Sequence, residues 1–69
     1  MKLSARNKIP GTIKEVKHGE TTTHVTIEVR QKPVTIMASI TNEAAEELGL
    51  NVGMQATAVI KAPDVMVGV

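Results

Sequence analysis

Ser4, Arg6 and Asn7 put a hydroxyl, a guanidinium and an amide within four consecutive positions, "SARN", shortly before Pro10 and Gly11. All three groups donate hydrogen bonds, and the guanidinium carries a charge that no working pH removes. A donor cluster with no carboxylate suits a small tetrahedral oxyanion, which needs several convergent donors and a fixed positive charge nearby. The backbone N–H groups around Ala5 and Arg6 extend the set. A stretch this short supplies only part of a shell, so an anion held here needs donors from a second segment as well.

Other chemistries have less to work with. The chain has no Cys, which excludes disulfides and thiolate zinc sites, and its two His, His18 and His24, have no carboxylates at metal-ligating spacing. No nucleophile sits with a base at a familiar spacing, so no catalysis and no bare metal cation are expected. Glu43, Glu46 and Glu47 read as the exposed, N-terminally acidic face of a short helix rather than as a cation site. Single-stranded nucleic acid is bound by a basic groove lined with aromatic rings. Here Phe, Tyr and Trp are absent, and eight Lys and Arg against seven Asp and Glu leave a net charge of +1. No window reads as a signal peptide or a membrane span, so a cytoplasmic protein is expected.

The elements that must position these groups are mostly strands. "GTIKEVK" from Gly11 leads through the turn "HGE" (His18 to Glu20) into "TTTHVTIEVR", where Val25, Ile27 and Val29 alternate with Thr26, Glu28 and Arg30. "QKP" (Gln31 to Pro33) breaks that strand. "VTIMASI" resumes the alternation with Val34, Ile36, Ala38 and Ile40, predicting a hairpin. Thr41 or Asn42 caps a helix of about two turns over "EAAEEL", stopped by Gly49. "QATAVIK" then places Ala56, Ala58 and Ile60 on one face, and "APD" leads to "VMVGV".

Five or six short strands with one short helix after the third give an all-β class, a small Greek-key barrel of the oligonucleotide-binding-like (OB-like) type, in a single domain over residues 1–69. A domain this small buries only about 60% of the surface its unfolded chain exposes. Without aromatics or disulfides, oligomerisation is the remaining source of stability.

"SARNKIPGTI", "ITNEAAEELGL" and "ATAVIKAPDVMV", in this order and spacing, resemble the molbindins, the stand-alone molybdate-binding TOBE-type domains, over nearly the whole chain. The resemblance implies an OB-like barrel that dimerises by exchanging terminal strands and assembles into a hexamer. It also implies molybdate or tungstate as the ligand, bound at subunit interfaces for storage or buffering of molybdenum, with no organic cofactor, nucleic acid or membrane involved. Carried over by residue, the oxyanion site is Ser4, Ala5, Arg6, Lys61 and Ala62, drawn from different subunits. Related domains often have Ser where this chain has Ala62, which offers only its N–H. A possible second oxyanion site involves Gly19, Glu20 and Ser39. Two other readings are a barrel module for nucleic acid or a protein partner, and a sensory domain akin to those of molybdate-responsive regulators or transporters.

Overall fold

The computed structural model describes residues 7–30 and 34–69. In chain order these form β1 (Asn7–His18), β2 (Thr22–Val29), β3 (Thr35–Thr41), α1 (Asn42–Leu48), β4 (Gln55–Ile60) and one 3-10 turn, Ala62–Asp64. The strands make a single antiparallel sheet in the order β3-β2-β1-β4. Three consecutive strands form a meander and the fourth returns beside the first, which is Greek-key order. The sheet curls into a half-barrel with α1 between β3 and β4, so the expected all-β, OB-like class with one short helix is the one observed.

The curl follows from how β1 is shared. Asn7 to Thr12 pair with β4, from Asn7↔Ile60 to Thr12↔Gln55, while Gly11 to His18 pair with β2, from Gly11↔Val29 to His18↔Thr23. Only Gly11 and Thr12 have partners on both sides. Between Ile13 and Glu15 the register with β2 shifts and Lys14 is left over, a bulge that bends the strand and increases its twist. At Gly11 a Cβ would lie 2.7 Å from Ile27 Cγ2 and well inside contact distance of the Glu28 carbonyl oxygen, so the close approach of β1 to β2 requires glycine.

The inward rows cross three strands: Ile13, Ile27 and Ile36 in one, Val16, Val25 and Ala38 in the next. Ile13, Val25, Ile27 and Ala58 are buried, with Ile9, Ile40, Leu50 and Ala56 packed around them. Burying a Val or Ile side chain fully stabilises by roughly 1.5–3 kcal/mol. The alternation in β2 and β4 therefore does what the sequence pattern implied.

Thr41 is the N-cap of α1: its Oγ1 accepts from the Ala44 N–H at 3.1 Å. Gly49 ends the helix in the left-handed region at φ 63°, donating its N–H to the Glu46 carbonyl, while Leu50 donates to Ala45. Replacing Thr41 by Ala leaves an orphan donor at the helix start and should cost about 1 kcal/mol, read as a lower urea midpoint by far-UV circular dichroism.

Two expectations about strands change. The described residues contain four strands rather than five or six. Residues 65–69, which the alternation of "VMVGV" suggested as a strand, pair with no other described segment, and Met66 and Val67 are 94% and 90% exposed. Alternating apolar residues fit a strand but cannot form one without an edge to bond. In the other direction, β1 begins at Asn7 and runs through Pro10, ahead of the expected start at Gly11. Pro10 falls in the part of β1 that has a neighbour on one side only, where a missing N–H is tolerated. The break at "QKP" falls on residues 31–33, outside the described residues; across it the Val29 N–H meets the Val34 carbonyl at 2.9 Å.

Candidate functional site

Two ends of β1 hold the residues of interest, separated by the 12 residues of that strand. At the first end the β1–β4 ladder closes on Asn7↔Ile60. Lys61 follows directly, extended and exposed at φ −69°, ψ 141°, as the N-cap of the 3-10 turn. Its carbonyl accepts from the Asp64 N–H at 2.9 Å, and the Ala62 carbonyl from Val65 at 3.2 Å. With Pro63 in the turn, these bonds fix the backbone that carries the ammonium side chain without using its charge. Among the described residues Lys61 makes no ion pair; the one present joins Lys14 and Glu28 at 3.7 Å on the surface. Ser4, Ala5 and Arg6 lie outside the described residues.

This end also has a cation that sequence reasoning missed. Lys8 is exposed and lies opposite Val59, two positions before Lys61. The signal was available, since Lys8 is in phase with Arg6 in an extended chain.

At the other end of β1 the turn through Gly19, Glu20 and Thr21 is tied down by a polar chain of bonds. Gly19 N–H donates to the Thr22 carbonyl at 2.8 Å. Asn42, the first residue of α1, donates from Nδ2 to the carbonyls of Gly19 at 3.0 Å and Glu20 at 3.1 Å, and its own backbone N–H bonds the Thr21 carbonyl at 3.0 Å. Thr23 Oγ1 lies 2.6 Å from Asn42 Oδ1 and 2.9 Å from His18 Nδ1. Thr23 is fully buried, and this network satisfies its hydroxyl. Lys17, His18, Gly19, Glu20, Thr21, Thr22 and His24 line a shallow concavity of about 340 Å³ beside the turn.

Gly19 and Glu20 are therefore adjacent in an ordered turn. Ser39 is exposed on β3 opposite His24, which lines the concavity, although Ser39 itself does not. The Thr23–Asn42 pair was not anticipated. The sequence marks Asn42 only as a candidate cap, and Thr23 carries no signal beyond being in phase with Val25 and Ile27, which turns it inward. The remaining polar residues behave as surface groups. Glu43, Glu46 and Glu47 are exposed on α1, and no cluster of three or more His, Asp or Glu able to hold a metal ion occurs among the described residues. No helix among them is long and apolar enough to cross a membrane.

Comparison with known proteins covers the whole of this architecture. The family model for the TOBE domain matches residues 3–67. A probable molybdenum-pterin-binding protein of Haemophilus influenzae is 39% identical over 69 residues, covering 100% of this chain and 99% of the relative. The structure of MopII from Clostridium pasteurianum superposes with a TM-score of 0.91 at 35% identity, covering 99% of this chain and 100% of the other. A molybdate binding protein from Sporomusa ovata gives a TM-score of 0.89 at 33% identity, covering 97% of both chains. Sheet order, helix placement and a family match from end to end of the described sheet agree, and the chain belongs to the TOBE domain family.

Proposed function

We propose that this chain, acting as one binding unit over residues 1–69, binds molybdate or the similar tungstate dianion reversibly, without chemistry on it, as a store or buffer of the anion inside the cell. The observation that carries the reading is the likeness along its full length to a molybdate binding protein of known structure. The ladder geometry supports the choice of residues. Arg6 is covalently next to Asn7 and Lys61 next to Ile60, and Asn7 and Ile60 are partners. Each step along the chain is about 3.8 Å, so both segments continue from the same end of the β1–β4 ladder, from which each is offered to a neighbouring subunit rather than to the other. Ser4, Ala5 and Arg6 with Lys61 and Ala62 then supply a hydroxyl, backbone N–H groups and two positive charges, the complement a desolvated dianion requires. The turn at Gly19 and Glu20, with Ser39, is the second and weaker candidate.

The same reading makes the site a shared one. Among the described residues the core holds five buried apolar residues, Ile13, Val25, Ile27, Ala45 and Ala58, two of them alanines, while Val65, Met66, Val67 and Val69 stand exposed. A core this small and an apolar tail with no partner among the described residues support assembly through exchanged terminal strands into a hexamer. Native mass spectrometry with and without molybdate tests assembly and ligand together: the expected species is a hexamer that gains anions on addition of molybdate. A stable folded monomer at micromolar concentration would remove the shared site, and a hexamer that gains nothing would remove the ligand.

A further inference from the structure

The polar chain at the β1–β2 turn has a direction. Asn42 Nδ2 faces two carbonyls, of Gly19 and Glu20, which can only accept, so the amide is oriented with its NH2 group toward the turn and its oxygen toward Thr23. The single hydroxyl proton of Thr23 is then committed to Asn42 Oδ1. At the 2.9 Å contact with His18, Thr23 Oγ1 has no proton left to give, so His18 Nδ1 must be the donor. Neutral His18 is thereby fixed as the Nδ1–H tautomer, and its remaining ring nitrogen, Nε2, carries a lone pair.

His18 is exposed and lines the turn concavity. We propose that His18 is a proton-dependent gate for oxyanions at this turn: neutral, its Nε2 lone pair opposes an anion; protonated, Nε2–H donates to one. Protonation leaves the Nδ1–H bond to Thr23 intact, so the switch changes the charge and polarity of one atom without rearranging the network. The charged and titratable groups around the concavity are Lys17 on β1, Glu20 in the turn and His24 on β2, while α1 contributes the neutral amide of Asn42. Lys17 brings a positive charge toward an anion here and Glu20 a negative one, while the Thr23 bond leaves the His18 Nε2 as the ring nitrogen free to take up a proton.

This inference rests on the turn being the second oxyanion site, and the experiment separates the two. Long-range 15N–1H correlation spectra of the anion-free protein near pH 8 should show His18 as the Nδ1–H tautomer, and Thr23→Val should lose that preference while Thr23→Ser keeps it. An Nε2–H tautomer in the parent would overturn the gate whatever the anion does. Molybdate is then titrated near pH 6 and near pH 8, following the amide signals of Gly19 to Thr22 for the turn and of Lys61 and Ala62 for the other site. Turn affinity should fall by about tenfold or more at the higher pH, the change should persist in His24→Gln, and it should vanish in His18→Gln. Turn binding that is equal at both pH values overturns the gate and leaves the second site standing. Turn signals silent at both pH values, with Lys61 and Ala62 responding, overturn the second site and the gate with it.

Discussion

Arg6→Ala and Lys61→Ala are each expected to weaken molybdate binding by about 30-fold or more while leaving the assembly intact. A dianion leaving water gives up strong hydration, and its site must return both charge and hydrogen bonds. Removing one partner of a buried charge-assisted contact costs on the order of 2–5 kcal/mol, and the lower figure already corresponds to that loss. Lys61 is held by backbone bonds of the 3-10 turn rather than by its side chain, so truncation should not disturb the fold around it. Lys32→Ala, far along the sequence from both segments and part of neither, is the control and should change affinity little. Calorimetric titration of the three variants, with assembly checked by sedimentation, reads the result. Parental affinity in both Arg6→Ala and Lys61→Ala would remove these residues from the site.

The largest effect on stability is expected at Gly11. Alanine there would drive its Cβ against the Glu28 carbonyl and to 2.7 Å from Ile27 Cγ2, and the carbonyl belongs to a paired strand that cannot withdraw without breaking its ladder. Overpacking of this kind costs about 3 kcal/mol or more. A chain of this length has total stability of only about 3–10 kcal/mol. Gly11→Ala should therefore be largely unfolded or shifted to a much lower urea midpoint. Gly53→Ala separates sterics from conformation: Gly53 has φ 90° but nothing within 4 Å of a Cβ, so only a backbone cost of about 1 kcal/mol is expected. With no Trp or Tyr in the chain, unfolding has to be followed by far-UV circular dichroism rather than intrinsic fluorescence. A Gly11→Ala protein as stable as the parent would mean that β1 and β2 do not approach as closely as described.

What could be read in the sequence was what repeats or punctuates. Val25 and Ile27 recur at the strand period and are buried, and Thr41 and Gly49 bracket the helix with the side chain and the backbone freedom that helix ends need. Pro10 misled because a proline within a strand depends on which side of the strand has a neighbour, and that is decided by β4, more than 40 residues later in the chain. The final Val and Met residues misled for the opposite reason, since their alternation is a local property and a pairing edge is not. At the candidate site, the donor types of "SARN" pointed to Arg6, Lys61 came from the resemblance alone, and nothing local beyond its phase with Arg6 marked Lys8, which the ladder sets opposite Val59. The Thr23–Asn42 bond joins residues 19 positions apart and leaves no local signature beyond the inward phase of Thr23.

The sharing of β1 between two neighbours also sets an order of events as the polypeptide leaves the ribosome. β2 can close on β1, and β3 on β2, as soon as each has emerged, because these are hairpin neighbours with short connections. The partners of Asn7 to Pro10 are Ile60 to Thr57, so the first part of β1 waits for β4, the last of the described strands, before its own ladder is closed. Until then it is an exposed edge beside an unfinished core, and the nascent chain is most vulnerable to pairing with another copy during that interval. Slowing translation anywhere between Pro10 and Thr57 would lengthen the interval, whereas slowing it after Ile60 would leave it unchanged.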